Sequence, residues 1–246
     1  MKKYFGKLWI VFSVFALVFS TGVYAQEEQS DGGGGSFNFG FKTGVNFHEF
    51  TSQPPHTGGK MGFLAGGYAL YEFSDLIAVQ IELAYFQQGG TYVQFIDDTR
   101  FGAPENFFTK NVKNASATLH NVYIPLQAKL TFFSQPYLPK LLIGPYMDIN
   151  FAATESYQKT GEIDDNIYVT TKGDAVVTDQ YQTLQFGAMA GLEFNIPTGT
   201  DWDMIFGVTY KYGISPVKKS YSYIDYYAVT EDFYTNALAI TLGVEF

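Results

Sequence analysis

The chain has 246 residues, a formal net charge of −9 at neutral pH and an aromatic content of 18%, carried mostly by Phe and Tyr. It has no cysteine, which excludes disulfides, thiolate metal centres, thiol nucleophiles and a cysteine-linked lipid anchor. The acidic balance, with no Lys/Arg cluster and no RNA-binding motif, leaves no nucleic acid among the expected partners.

Lys2, Lys3 and Lys7 precede an apolar run from Leu8 to Phe19, and Val23 and Ala25 occupy the positions a signal peptidase reads. The run is too short to cross a bilayer core of about 30 Å as a retained helix. The sequence therefore predicts a signal peptide over residues 1–25. Residues 26–35, QEEQSDGGGG, read as a flexible acidic and glycine-rich leader. One domain remains, residues 36–246.

That domain alternates with a period of two, the signature of strands. In the first, Phe37, Phe39, Phe41, Val45 and Phe47 share a face, with Asn38, Lys42 and Asn46 on the other. The second, about Met61 to Glu72, is glycine-rich and ambiguous in phase. In the third, Ile77, Val79, Ile81, Leu83 and Tyr85 oppose Gln80 and Glu82. A polar stretch from Gln87 to Thr118 reads as a long loop. The fourth strand sets Val122, Ile124, Leu126 and Phe132 against Asn121, Gln127 and Lys129.

In the fifth, Leu141, Ile143, Met147, Ile149 and Phe151 oppose Tyr146, Asp148 and Asn150; a second long loop is expected from Thr154 to Asp179. The sixth places Leu184, Phe186, Leu192 and Phe194 opposite Gln185 and Glu193, and Ile196 to Thr200 turns into the seventh. There Met204, Phe206, Val208, Tyr210 and Tyr212 oppose Thr209 and Lys211. After a last long loop, Pro216 to Asp232, the closing strand runs to Phe246, with Leu238, Ile240, Leu242, Val244 and Phe246 on one face.

Eight strands with connections alternating long and short describe an antiparallel up-and-down barrel. The face opposite the apolar one is built of Gly, Ala, Thr, Gln and Asn with sparse charge, which suits a crowded lumen better than a solvated exterior. A soluble lipocalin-like binding barrel is the alternative, with the apolar face turned inward. The all-β transmembrane reading puts short turns and both termini in the periplasm and four long loops outside the cell. Since a sheet in lipid must pair every backbone group, the first strand should meet the last, with Phe246 at the seam.

Lys42, Lys129, Lys211, Glu82, Glu193 and Glu245 share the inward phase, predicting one balanced ionic network filling the lumen. An interior this narrow is filled by its own side chains, so the network reads as packing and no general pore is expected. His48, His56 and His120 are expected at the outer rim near Asp97, Asp98 and Glu105, the setting for the alternative of a membrane-embedded enzyme; no spacing fixes a nucleophile and base. No catalytic, cofactor or metal residue is assigned. Tyr221, Tyr223, Tyr226, Tyr227 and Tyr234, with Tyr157, Tyr168 and Tyr181, read as an interfacial girdle or a recognition surface. Glu162, Asp164, Asp165, Asp174 and Asp179 lack a spaced calcium motif.

Four stretches, Gly40-Phe41-Lys42-Thr43-Gly44-Val45-Asn46-Phe47, Tyr123-Ile124-Pro125-Leu126, Gly144-Pro145-Tyr146 and Tyr210-Lys211-Tyr212-Gly213-Ile214, resemble the PorT-like outer-membrane β-barrel family. Pro125 and Pro145 are expected at bulges near the rims. The resemblance implies an eight-stranded barrel in the outer membrane of a diderm bacterium. One founding member of that family takes part in export by the type IX secretion system. A non-enzymatic barrel in envelope assembly or protein secretion is therefore expected, in contact with outer-membrane lipid and lipopolysaccharide and with an envelope or secretion-system protein.

Overall fold

The computed structural model describes residues 35–51, 57–96, 111–133, 135, 137–164, 167–218, 221–222 and 230–246. The signal peptide, the leader up to residue 34, His56, Asp97, Asp98, Glu105, Asp165, Tyr223, Tyr226 and Tyr227 lie outside the described residues.

Eight strands make the wall: β1 (Ser36–Thr51), β2 (Thr57–Ser74), β3 (Ile77–Ile96), β4 (Asn111–Leu130), β5 (Lys140–Asp164), β7 (Leu184–Pro197), β8 (Asp203–Gly213) and β11 (Tyr234–Glu245). Each pairs antiparallel with its neighbours. Closure comes from β1 against β11, in register from Gly40↔Glu245 to Thr51↔Tyr234. Phe246 completes that seam: its amide donates to the Phe39 carbonyl at 2.8 Å and its carbonyl accepts from Phe39 at 3.2 Å. The remaining short strands are β6 (Ile167–Val176), which extends the sheet from β5, and the pair β9 (Tyr221–Ser222) and β10 (Thr230–Glu231).

The apolar face points out and the polar face in. Phe41, Phe47, Phe63, Ile81, Leu126, Ile143, Phe186 and Leu242 are exposed, whereas Lys42, Asn46, Gln80, Glu82, Gln127, Lys129, Asp148 and Glu193 are buried inside the wall. This inversion rules out the lipocalin-like arrangement, whose interior is apolar. A belt of exposed Phe, Leu and Ile is stable only where hydrocarbon replaces water.

In β2, Leu64, Tyr68 and Leu70 turn inward while Met61, Phe63 and Phe73 face out. Apolar residues on both faces are what blurs its period. The inward rings find room over glycines: a Cβ on Gly40 would stand 2.3 Å from the Tyr68 ring, and one on Gly187 2.4 Å from the Tyr146 ring. Each is a directly opposed cross-strand pair.

Two expectations are corrected. The stretches Gln87–Thr118 and Thr154–Asp179 are largely strand: β3 continues to Ile96, β4 starts at Asn111, β5 runs to Asp164, and β6 folds back on it from Glu162↔Tyr168 to Thr154↔Val176. Past the lipid belt the outer face meets water, so the apolar alternation disappears while β-favouring Thr, Val and Tyr persist. Pro125 and Pro145 mark no bulge. Register is the same at Pro125↔Tyr146 and Ala128↔Ile143, and Pro145 sits opposite Ala188 within an unshifted ladder. The β4–β5 shift lies instead at His120/Asn121.

Candidate functional site

The barrel interior holds stacked layers of side chains, beginning at the end where β1 starts and β11 finishes. Lys129 pairs with Glu193 at 2.7 Å and Glu245 at 3.2 Å, while Lys42 pairs with Glu82 at 3.1 Å and Glu193 at 3.6 Å. The Tyr68 hydroxyl and the Asn195 amide each donate to Glu245 at 2.9 Å. Charges this deeply buried are tolerable because each is shared and hydrogen-bonded.

Lys211 stands apart from the network it was expected to join. It pairs with Asp148 at 2.9 Å and lies over the rings of Phe86, Tyr123 and Tyr146, at 3.8, 4.2 and 4.4 Å. The inward phase of β5 made Asp148 legible as a lumen residue, but not as the partner of Lys211. Around this pair Gln88 donates to Gln185 at 2.6 Å and Asn150 to Asn121 at 2.8 Å.

Above lies an aromatic plug. Phe50 stacks on Phe233 with centroids 5.2 Å apart and on Tyr181 at 6.3 Å, with Tyr92 edge-on. Leu119, Val177 and Val217 join the cluster, with Ala115, Ala117 and Ala153 from the wall. Val177, Tyr181, Val217 and Phe233 lie outside the wall strands, on connections that fold into the barrel mouth. Backbone bonds hold them there: Gln182 N–H to Val217 O at 2.9 Å, and Val217 N–H to Phe233 O at 2.6 Å. Tyr181, expected in a girdle or recognition surface, is thus buried in the plug.

A second polar cluster caps this plug. Tyr92 donates to the Glu155 carboxylate, Lys113 pairs with Glu155, and Lys218 donates to the Tyr92 hydroxyl at 2.8 Å. Burial pushes the Lys218 ammonium down to about 8.

The two described histidines, His48 and His120, do not gather at a rim. His48 is buried in the lumen, where Nδ1 donates to the Gly89 carbonyl at 3.0 Å. His120 is on the other side of the wall, bonded to the Tyr85 hydroxyl at 2.5 Å and beside the ring of Phe151. Neither of these bonds involves a carboxylate or a serine. Asp174, from the acidic set, accepts from Ser156 at 2.5 Å, and among the described residues no group of three or more His, Asp or Glu is arranged for a metal. The side chains of Glu162, Asp164, Tyr168 and Tyr221 lie outside the described set.

Residues 24–219 match the family model described as outer membrane protein beta-barrel domain. No curated protein matches the chain. Among solved structures, Ail, the attachment invasion locus protein of Yersinia pestis, in complex with the heparin analogue sucrose octasulfate, is similar at 12% identity over 87% of this chain and 99% of its own, with a TM-score of 0.39. Neisserial surface protein A is similar at 13% identity over 84% and 95%, TM-score 0.37. The outer membrane protease OmpT of Escherichia coli is similar at 10% identity over 85% and 96%, TM-score 0.43.

Proposed function

This chain belongs to the outer membrane protein beta-barrel domain family, and we propose that it is a non-enzymatic binding and assembly component of that membrane, with its termini in the periplasm and its long-loop end outside the cell. The observation that carries the reading is the filled lumen. An ionic layer, a Lys211–Asp148 layer and an aromatic plug succeed one another along the barrel axis, leaving the outer surfaces to make contacts. The described histidines lend no support to catalysis, because they face opposite sides of the wall.

The finer reading is a PorT-like barrel in protein secretion or envelope assembly. It is supported by the four sequence stretches named above, each of which has a structural role: Gly40 accommodates Tyr68, Tyr123 packs against Lys211, Tyr146 packs over Gly187 and Lys211, and Lys211 ends in the lumen. Tagged protein purified from native outer membranes in mild detergent, with mass spectrometry of what stays bound, tests it. Reproducible recovery of a secretion or envelope machine supports the assignment; a solitary barrel that turns over a substrate overturns it.

A further inference from the structure

The extensions of β3, β4 and β5, with β6 added, form a four-stranded sheet standing past the lipid belt on one side of the barrel. Its inner face is committed to the plug through Tyr92, Ala115 and Ala153. Its outer face carries two parallel rows. Thr91, Ser116, Ser156 and Asp174 are aligned across the four strands, one opposite the next. Val93, Asn114, Gln158 and Lys172 form the second row, two residues further along each strand. Between them runs a trough of about 720 Å³, crossing all four strands.

Strand geometry sets its dimensions. Rows two residues apart are about 7 Å from each other, and three interstrand steps span about 14 Å. That is a channel one sugar ring wide and a few rings long. The row residues are mostly hydroxyls and amides, groups that both donate and accept, as a polyhydroxyl ligand requires. Val93 is the one apolar side chain in the two rows, and Tyr92, Ala115, Tyr157 and Gly173 line the trough between them. Lys172 and Asp174 on the edge strand carry one charge of each sign, which matches a neutral occupant and not a polyanion. The same face continues downward through Thr118 and Thr154 to His120, Phe151 and Tyr85 at the lipid-facing surface. The trough is therefore continuous with the membrane interface.

The geometry points to a binding site for a neutral stretch of polysaccharide, namely the sugar chain of the lipopolysaccharide in the surrounding leaflet. The site rests on the outward orientation of the loop end proposed above. It does not depend on any secretion partner.

The test uses the full barrel in detergent micelles and, as probe, the delipidated polysaccharide released by mild acid from lipopolysaccharide of the same outer membrane, titrated calorimetrically. Saturable binding that survives raised salt is expected, because no net charge is matched. The Ser116→Val/Gln158→Leu variant should weaken it at least tenfold, and an unchanged mobility shift on boiling shows that this variant still folds. That variant alters both rows; a second variant, Asn114→Leu, alters the second row alone and should also weaken binding. Absence of saturable binding, binding unchanged in both variants, or binding of intact lipopolysaccharide but not of its released sugar each overturns the site. Failure to recover a secretion partner leaves this result unaffected, so the two proposals fail separately.

Discussion

His48 Nδ1 donates to the carbonyl of Gly89 at 3.0 Å, reaching from β1 across β2 to β3. The bond stands where the β2–β3 ladder is interrupted, between Gly58 and Leu64. Other side chains serve the same gap: Gln87 accepts from the Phe63 amide at 3.4 Å, and Lys60 donates to the Ala117 carbonyl at 3.3 Å and the Thr118 hydroxyl at 2.6 Å. Near lipid an unpaired backbone group costs several kcal/mol, so side chains replace the missing ladder bonds. Gly62 makes this possible, since a Cβ there would stand 2.9 Å from both His48 Nε2 and Gln87 Cβ.

Substitution at this gap should lower stability without abolishing the barrel. Gly89 has φ of +143°, and an added Cβ would lie 2.3 Å from the Ala117 carbonyl oxygen. Gly89→Ala is expected to cost about 1–3 kcal/mol from backbone strain alone. His48→Leu should cost a similar ~1–3 kcal/mol by orphaning a carbonyl. Urea titration of the barrel in lipid vesicles measures both, and an unchanged midpoint in Gly89→Ala would show that the gap is not strained.

The ionic layer should behave as one unit. Lys129→Met leaves Glu193 and Glu245 without their shared cation, and breaking a buried pair in this way costs ~3–5 kcal/mol. The double variant Lys129→Met/Glu193→Gln should cost less than the sum of the two single changes, since it removes both charges together. Additive losses in a double-mutant cycle would refute the coupling.

Asp148→Asn is expected to be milder than Lys129→Met. Lys211 keeps three aromatic rings within 4.4 Å, and a desolvated cation–π contact is worth up to ~2 kcal/mol. The same urea experiment ranks the two, and a larger loss for Asp148→Asn would mean the rings do little for the ammonium.

Removing the plug should not open a pore. Phe233→Ala empties the centre of the aromatic cluster, yet Lys42, Glu82, Lys129 and Glu193 still close the barrel nearer the turn end. Conductance across a planar bilayer is expected to stay at baseline for both wild type and variant. Discrete conductance steps in Phe233→Ala alone would locate the barrier in the plug.

Lys218 gives the capping cluster a pH dependence of definite sign. Its folded value is lowered by burial to about 8 from an ordinary 10.5, so below pH 8 both folded and unfolded states carry the proton and the buried charge costs about 3 kcal/mol. Between 8 and 10.5 only the unfolded state keeps it, and this contribution to stability rises with pH. Proteolysis of the last long loop should therefore slow from pH 7 to pH 10 in wild type relative to Lys218→Met. A difference that grows in the opposite direction would contradict the burial of this ammonium.

Much of the wall was legible from alternation, because lipid on one side and a narrow lumen on the other impose a strict period of two. Leu238 to Phe246 shows it best: the outward set, the pairing with the first strand and the seam at Phe246 follow from that pattern and from the need to satisfy every backbone group. The inward charges were legible for the same reason.

How those residues divide was decided by tertiary structure. Phase places Lys211 and Lys129 inside, but their heights along the barrel depend on interstrand register, and height gives one a glutamate pair and the other Asp148 under three rings. The plug could not be read at all, since Val177, Tyr181, Val217 and Phe233 come from connections without a period and are joined only when the barrel mouth gathers them around Phe50. The four-stranded extension was not legible because its outer face, the candidate sugar trough, meets water and so loses the apolar alternation that marks a strand. Sequence fixes a residue's side of the wall through local geometry; neighbours several strands away are set by closure and register, which belong to the whole sheet.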